Sequence, residues 1–558
     1  TGRTSAERVR IDHDGNLGIG TASPYYKGHI SFDDSTTAFS GGSSGNWGGN
    51  GLRIENTNST ADTKATLQLR ANDFDALISA VKKSGGNTGE VHFNVDPDAN
   101  TNQLLTLAGS KISGSSTSTG SFGRAIVNTM KVGSGAEIRN ISANQIFGYN
   151  SLTTNTGNYN IAIGTEVLMA QTSGERNTAV GYQAGRSNVT GDYNTWFGFS
   201  AGRGATDQSN SYNTGIGYNS LYAITTGIHN VAVGNNAGSA LTSGGYHVLI
   251  GSGAGQSMTT NNLGSVAVGY NALSSQTVKG RTVAIGVQSL TSLDQTGQDD
   301  YNVAIGYRSG YTIATGLQNV FIGAFTGQET KGNYNAFVGY QAGLYAGPTS
   351  YSTYIGNAAG LYATGSYNTF VGRAAGLGGT TSAPYSSGTK NVALGYESLK
   401  GFTTGANNVA IGANAADYLS TGNNNIMIGL DVAGDYTTGD NSVAIGRQAL
   451  NLEQTGHSTV AIGYRAAYKQ RVNATTYNTY VGTSAGQENT SGIENIFIGY
   501  DAGRGQSGAH PDRGTFVGFR AGYGILGNDS TLIGNDAGYN ATGSYNTFVG
   551  SEAGRGGQ

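Results

Sequence analysis

The chain has no cysteine in 558 residues, so neither disulfides nor thiolate metal centres hold it together. Proline occurs only 5 times, which excludes a Pro-rich disordered segment as the main component. Charged residues make up 12% of the chain and the formal net charge is −3, so no electrostatic footprint for nucleic acid or an anionic membrane is written into it. No apolar run approaches the ~18 residues that span a bilayer as a helix. The start at Thr1 and the stop just after a repeat predict a fragment or a processed product.

Glycine is what the chain has in excess, at 92 residues. Collagen's strict every-third spacing is absent, so the glycines predict ordered tight turns. A short phrase explains many of them: a polar residue, three apolar or Thr residues, then glycine, written 24 times between Asn144 and Gly550. Asn160 to Gly164, Asn177 to Gly181, Asn230 to Gly234, Asn302 to Gly306 and Asn408 to Gly412 are typical copies. The closing glycines recur every 16 to 23 residues, and 12 of the 23 intervals are 17. A fixed period this short predicts one supersecondary unit stacked on its neighbours. At ~4.8 Å per coil, 24 coils predict a shaft of roughly 115 Å.

The three residues between Asn and Gly are denoted x1, x2 and x3. Position x3 is Ile, Val, Leu or Phe in every copy, and x1 is Val, Ile or Thr in all but two, where Gln145 and Ala336 stand. Position x2, on the opposite face, is Ala in ten copies and aromatic in nine. A strand apolar on both faces is expected to be covered on both. One cover is the coil's own interior; the other is expected to be a further copy of the chain. Asn fills the position before x1 in 16 copies, where in-register amides are expected to bond up and down a column. The closing glycine predicts a corner with positive φ or no room for a Cβ. Ala, Ser or Thr three residues later marks a second, tighter side of the coil.

The phrase resembles the head repeat of trimeric autotransporter adhesins, the YadA-type left-handed parallel β-roll, over residues 144–554. The family's repeats are shorter; here the extra length falls in the turn before Asn. The resemblance implies a left-handed coil and a parallel homotrimer. Before the shaft, Arg8 to Pro24 reads as a hairpin and closely resembles a segment widespread in tailed-bacteriophage fibres, including those with a C-terminal self-cleaving intramolecular chaperone. Ile112 to Gly123 resembles another phage-fibre phrase. No chaperone follows Gly554, which implies that it was cleaved away or lies outside this chain.

The expected architecture is therefore all-β. Residues 1–24 form a hairpin, 25–143 a small β-rich domain and connector, and 144–558 a parallel β-roll or β-solenoid of about 24 coils, intertwined or side by side in a homotrimer. In the small domain, residues 51–55, 65–70, 91–95 and 104–107 read as strands, while 75–83 fits a strand or a short helix. The expected function is a structural and adhesive phage tail fibre attaching to a host surface. Its implied partners are further copies of itself, other tail or baseplate proteins, and a host cell-surface glycan or protein. A bacterial autotransporter head and a passive spacer are the alternatives.

Catalysis is not expected, and neither is a cofactor or a metal. Gly251 to Gly255 is phosphate-loop-like only in spelling, because it is a corner of the repeat. Asp96 to Asn102 alternates oxygens like a calcium loop without that loop's Gly and Glu. His13, His29, His92, His229, His247, His457 and His510 lack ligand spacing and read as surface or turn residues. Asp33/Asp34 and Asp299/Asp300 are sequence neighbours, poor geometry for paired acid–base work. The nine tyrosines that directly follow a closing glycine, such as Tyr182 and Tyr340, read either as a ladder over the corner or as an aromatic surface for sugar rings.

The longest insertions fall before the Asn of their coil. Receptor contacts are expected on them, at Pro384 and Tyr385, at Lys469 and Arg471, and at Arg504, His510 and Arg513.

Overall fold

The computed structural model describes, side chains included, residues 9–14, 143–205, 209–259, 264–277, 280–293, 300–505 and 510–556, with the backbone of the strands that precede residue 142. The chain divides into two compact units, Thr1–Ile126 and Val127–Gln558. Among the described residues there is no helix.

In the first unit, Val9–Ile11 pairs antiparallel with Leu17–Ile19, the expected hairpin. Lys64–Ala71, Phe74–Lys82, Gly89–Asp96 and Asn102–Ala108 form a four-stranded antiparallel meander. The ambiguous segment is thus strand as far as Lys82: its alternation Ala76, Ile78, Ala80 pairs against both neighbours, a use of period two that no helix makes. The expected strand at 51–55, the interior of the calcium-like stretch, Asp33/Asp34, Asp299, the phrase at 112–123 and the side chains of His29 and His92 lie outside the described residues.

The second unit is a 26-stranded sheet in sequence order. It opens with two antiparallel pairings. Thr129–Val132 pairs with Ala136–Ile141, which pairs with Asn144–Gly148. From there to Thr547–Val549 every pairing is parallel and in register, forming a β-solenoid of about 23 turns. Each coil has one short strand, a corner, a turn side, and a return to the next strand. The turn side is bonded coil to coil as well. Gly185 N–H donates to Ala201 O at 2.9 Å, and Gln183 N–H to Thr165 O at 2.9 Å.

The corner glycines have both properties expected of them. Gly412 has φ +131°, and a Cβ there would lie 2.2 Å from the carbonyl oxygen of Gly429 in the next coil. Gly164, Gly181, Gly234 and Gly306 repeat this, with φ between +124° and +139°. Only glycine occupies that backbone region readily.

From Asn144 to Asn495 the ladder asparagines are buried and bonded coil to coil. Asn160 donates from its backbone N–H and its Nδ2 to Asn144 Oδ1 (2.8 and 3.0 Å), and Nδ2 also reaches Gly174 O at 2.9 Å. Asn177 does the same to Asn160. Asn230 repeats the pattern on Asn213, and Asn302 Oδ1 receives the Asn319 N–H at 2.9 Å. One residue departs from its expected place. His247 is buried because it stands in the ladder slot: its N–H donates to Asn230 Oδ1 at 3.1 Å, and its Nδ1 accepts from Ser265 N–H at 3.2 Å. An imidazole nitrogen accepts in place of the amide oxygen.

The three apolar strand positions do not share one environment. Position x2 points into the coil and is fully buried, from Ala162 and Trp196 to Phe516. Positions x1 and x3 point outward and stay half-buried or exposed. The interior then meets the small side chains three residues past the corner, such as Ala342 and Ala375.

A second core position, six residues after x2, adjusts to what x2 carries. Wherever x2 is aromatic, that residue is glycine, because a Cβ would strike the ring. The distances would be 2.3 Å from Trp196 at Gly202, 2.5 Å from Tyr354 at Gly360 and 2.4 Å from Phe370 at Gly376. Where x2 is Ala the slot holds Leu in five coils (168, 273, 290, 399 and 450) and these leucines are fully buried. They adopt positive φ, for example +50° at Leu399. Such a conformation costs a β-carbon residue ~1–2 kcal/mol, which burial of the Leu side chain offsets.

Buried phenols add a pH limit. Burial pushes the Tyr354 hydroxyl up to about 12, and those of Tyr436 and Tyr480 further in the same direction. A group whose folded pKa is raised stabilises the fold below its unfolded value near 10, and that contribution is lost as pH rises through the folded value. Stability should therefore hold to about pH 10 and fall between about pH 10 and 12. Phenolate absorbance against circular dichroism checks this: exposed tyrosines should ionise first, and the buried set together with loss of structure.

Candidate functional site

Two surfaces are candidates, the outer face of the sheet and the insertions before the ladder Asn. The outer face follows from strand alternation. In each coil the residue before Asn, then x1, x3 and the residue after the corner glycine fall on one side. In two neighbouring coils these are Tyr193, Thr195, Phe197 and Phe199, then Tyr212, Thr214, Ile216 and Tyr218. In these two coils the row is neutral and largely apolar, with exposures of 44% at Tyr193, 56% at Phe197 and 49% at Phe199, whereas elsewhere its two outer positions carry charge, as at Arg176, Arg373 and Asp529. Positions x1 and x3 are uncharged in all 24 copies. Repeated coil after coil, x1 and x3 form an uncharged, half-buried to exposed stripe along the sheet, the kind of contiguous surface that marks an interaction site.

Aromatic columns border that face. The post-glycine tyrosines form one column in stretches: Tyr182, Phe199 and Tyr218 stack at 5.0 and 5.4 Å between ring centroids. These rings stack in a single file one ring wide, which supports the corner-ladder reading over a broad sugar platform. The second column, missed in the sequence, is the residue before Asn. It has positive φ in copy after copy (Tyr193 +58°, Tyr212 +60°, His229 +56°, Tyr246 +63°) and its rings stack at 5.0, 4.7 and 5.1 Å. Arg176 extends the column, its guanidinium 5.2 Å from the Tyr193 ring and 5.6 Å from that of Tyr159. The signal available beforehand was the recurring Tyr-Asn pair.

On the insertions, most of the expected contact residues are already engaged within the chain. Lys469 Nζ pairs with Glu488 at 2.6 Å, and Arg504 with Asp501 at 3.0 Å. Arg513 makes a two-pronged contact to Asp529 (2.6 and 3.0 Å) on the neighbouring rung of the pre-Asn column. His510 meets the Thr490 hydroxyl at 2.9 Å. Arg471 is exposed, and its backbone N–H is held by Thr490 O at 2.8 Å. Pro384 is exposed, whereas Tyr385 folds back against Tyr345 and Tyr362. These residues lie on successive insertions and do not converge on one point.

Among the described residues, no three His, Asp or Glu side chains gather as metal ligands, and no helix is long and apolar enough to cross a membrane. Glu453, fully buried, is used structurally: it accepts the N–H groups of Gln454, Thr455, Gly456 and Val472 between 2.8 and 3.3 Å, closing its own turn and tying it to the next coil. No family model matches the chain, and neither a curated protein nor a solved structure matches it, so the solenoid and its outer face carry the functional reading.

Proposed function

We infer that this chain is a structural and adhesive fibre protein, a rigid shaft assembled from parallel copies of itself that attaches to a host surface. The observation that carries the reading is the stripe of uncharged x1 and x3 side chains on the outer face of the sheet, half-buried or exposed among the described residues along the solenoid. A stable interface needs about 800 Å² from each partner, and a few coils of such a face supply it. Being uncharged, this stripe opposes no second copy by like-charge repulsion; the charges on that side, such as Arg176, Arg373 and Arg513, lie in its bordering columns. Three copies in a left-handed roll is the number and hand implied by the resemblance to YadA-type heads. The phage-fibre resemblance of residues 8–24 and 112–123 supports a tail fibre over a bacterial surface head.

The ion pairs that occupy Lys469, Arg504 and Arg513 favour a second reading for those coils, a spacer without contacts of its own. Native mass measurement should give about three chains; a soluble monomer would end the assembly reading. Attachment of the labelled chain to host cells tests adhesion separately.

A further inference from the structure

We propose that the turn side of the solenoid carries a binding site for a neutral sugar chain, built by Tyr345, Tyr362 and Tyr385 with the Glu329 carboxylate at its edge. The proposal rests on the adhesive reading above and names its ligand class. Tyr345 and Tyr362 are the sixth residues past the corner glycines Gly339 and Gly356, so they lie one above the other in successive coils. Their rings are parallel within 2° at 5.5 Å. Glu329 is the same position one coil earlier, tied to this column by its N–H bond to Leu344 O at 3.0 Å.

The next member of the column breaks the pattern. It is Gly378, where a Cβ would lie 2.9 Å from Ser386 Oγ and 3.0 Å from Tyr362 Cβ. The space is taken by the longest insertion of the shaft, which returns Tyr385 to the column. Tyr385 lies 5.4 Å from Tyr345 and 5.7 Å from Tyr362, tilted 26° to both. The three centroids thus make a nearly equilateral triangle: the third ring sits beside the pair, broadening it to a patch, where the other aromatic columns run in single file.

The insertion is fixed on either side of that ring. Ser386 is buried; its N–H donates to Tyr362 O at 3.0 Å and its carbonyl accepts the Thr364 N–H at 2.7 Å. Its hydroxyl lies 3.2 Å from that of Thr380. Burial and the nearby Glu329 carboxylate push the Tyr385 phenol up, which places an acid within electrostatic reach of the ring.

All three tyrosines are half-buried, so each keeps part of its surface open to solvent. They offer apolar area to the C–H face of a pyranose and hydroxyls to its rim. The carboxylate accepts hydrogen bonds from sugar hydroxyls and repels acidic sugars, which selects a neutral chain. Because the patch lies on the turn side, assembly through the sheet face leaves it open. Repetition around the assembly would raise a weak single-site affinity by avidity.

Saturation-transfer NMR on the full chain with maltotetraose, cellotetraose and mannotetraose as separate probes tests the site. At least one should receive magnetisation from tyrosine ring protons, and the Tyr362→Ala/Tyr385→Ala variant should lose it. Tyr182→Ala, on the sheet face, should keep it. Circular dichroism and the native mass of each variant show whether it is folded. Should the double variant misfold, Tyr385→Ser alone, which alters only the insertion, should still lose the transfer. No transfer to any of the three sugars, or transfer that survives in the folded Tyr385 variant, overturns the proposal. Cells that attach while no sugar binds would sink this site alone; sugar binding without cell attachment would sink the adhesive reading.

Discussion

Replacing Gly376 with Leu should cause local collapse of the shaft, and adding Phe370→Ala in the same chain should restore it. A Cβ at Gly376 would sit 2.4 Å from the Phe370 ring, a distance no side chain tolerates, and the ring is fully enclosed. Phe370→Ala alone should cost ~3–5 kcal/mol through the cavity it leaves. Together the changes recreate the Ala393/Leu399 arrangement one coil on, where Leu399 adopts φ +50° and Gly376 already has φ +54°. The double variant should therefore be more stable than either single one, with a coupling of ~1–3 kcal/mol. Hydrogen exchange of the amides in coils 354 to 412 reads this directly. Additive losses would mean that the two positions do not share one space.

Asn408→Leu should be nearly as damaging without changing side-chain volume much. Asn408 Oδ1 receives both the N–H and the Nδ2 of Asn425 (3.0 and 3.1 Å), and its Nδ2 donates to Asn391 Oδ1 and Gly422 O at 3.1 and 2.8 Å. Leucine leaves the Asn425 N–H and its amide, and the Gly422 carbonyl, short of partners inside a dry column. Each such group costs ~1–3 kcal/mol. The midpoint of urea unfolding should fall clearly, and Asn408→Ser should recover part of the loss, since Ser352 and Ser442 already serve in the ladder by accepting from the next coil. An Asn408→Leu chain with the parent's midpoint would show that the ladder contributes little.

The parts of this fold that repeat could be read from the sequence. Corner glycine, ladder asparagine and the small residue after the corner each recur with the period, and a periodic residue in a stacked coil has one physical setting. What could not be read was which face of the strand turns inward, because x1, x2 and x3 are all apolar. The glycines six residues after each aromatic x2 were visible as letters, but their meaning needs the coil to be closed, with a ring and a backbone brought together across the interior. Pairs such as Arg513 with Asp529 were hidden for a related reason: the partners are 16 residues apart, adjacent only once coils are stacked. His247 looked like a turn residue because histidine seldom stands in an amide column. Tyr385 was legible as part of an insertion, though its return to the Tyr345 column follows from a vacancy at Gly378 that spacing alone does not reveal.

Two dozen strands this alike raise a problem of identity. A strand that skipped one rung while the chain was closing would find the same backbone partners and nearly the same Asn to bond, so hydrogen bonding alone cannot tell a neighbour from the coil beyond it. The alternation of bulky and minimal residues inside the coil can. At Gly310 a Cβ would lie 2.6 Å from Leu290 of the coil before and 3.1 Å from Phe321 of the coil after, so a coil with Leu in that slot could not take its place, and the opposite slip would open a void. Wherever neighbouring coils differ in this way, the interior works as an address written in volume, which makes misthreading costly in an otherwise uniform column.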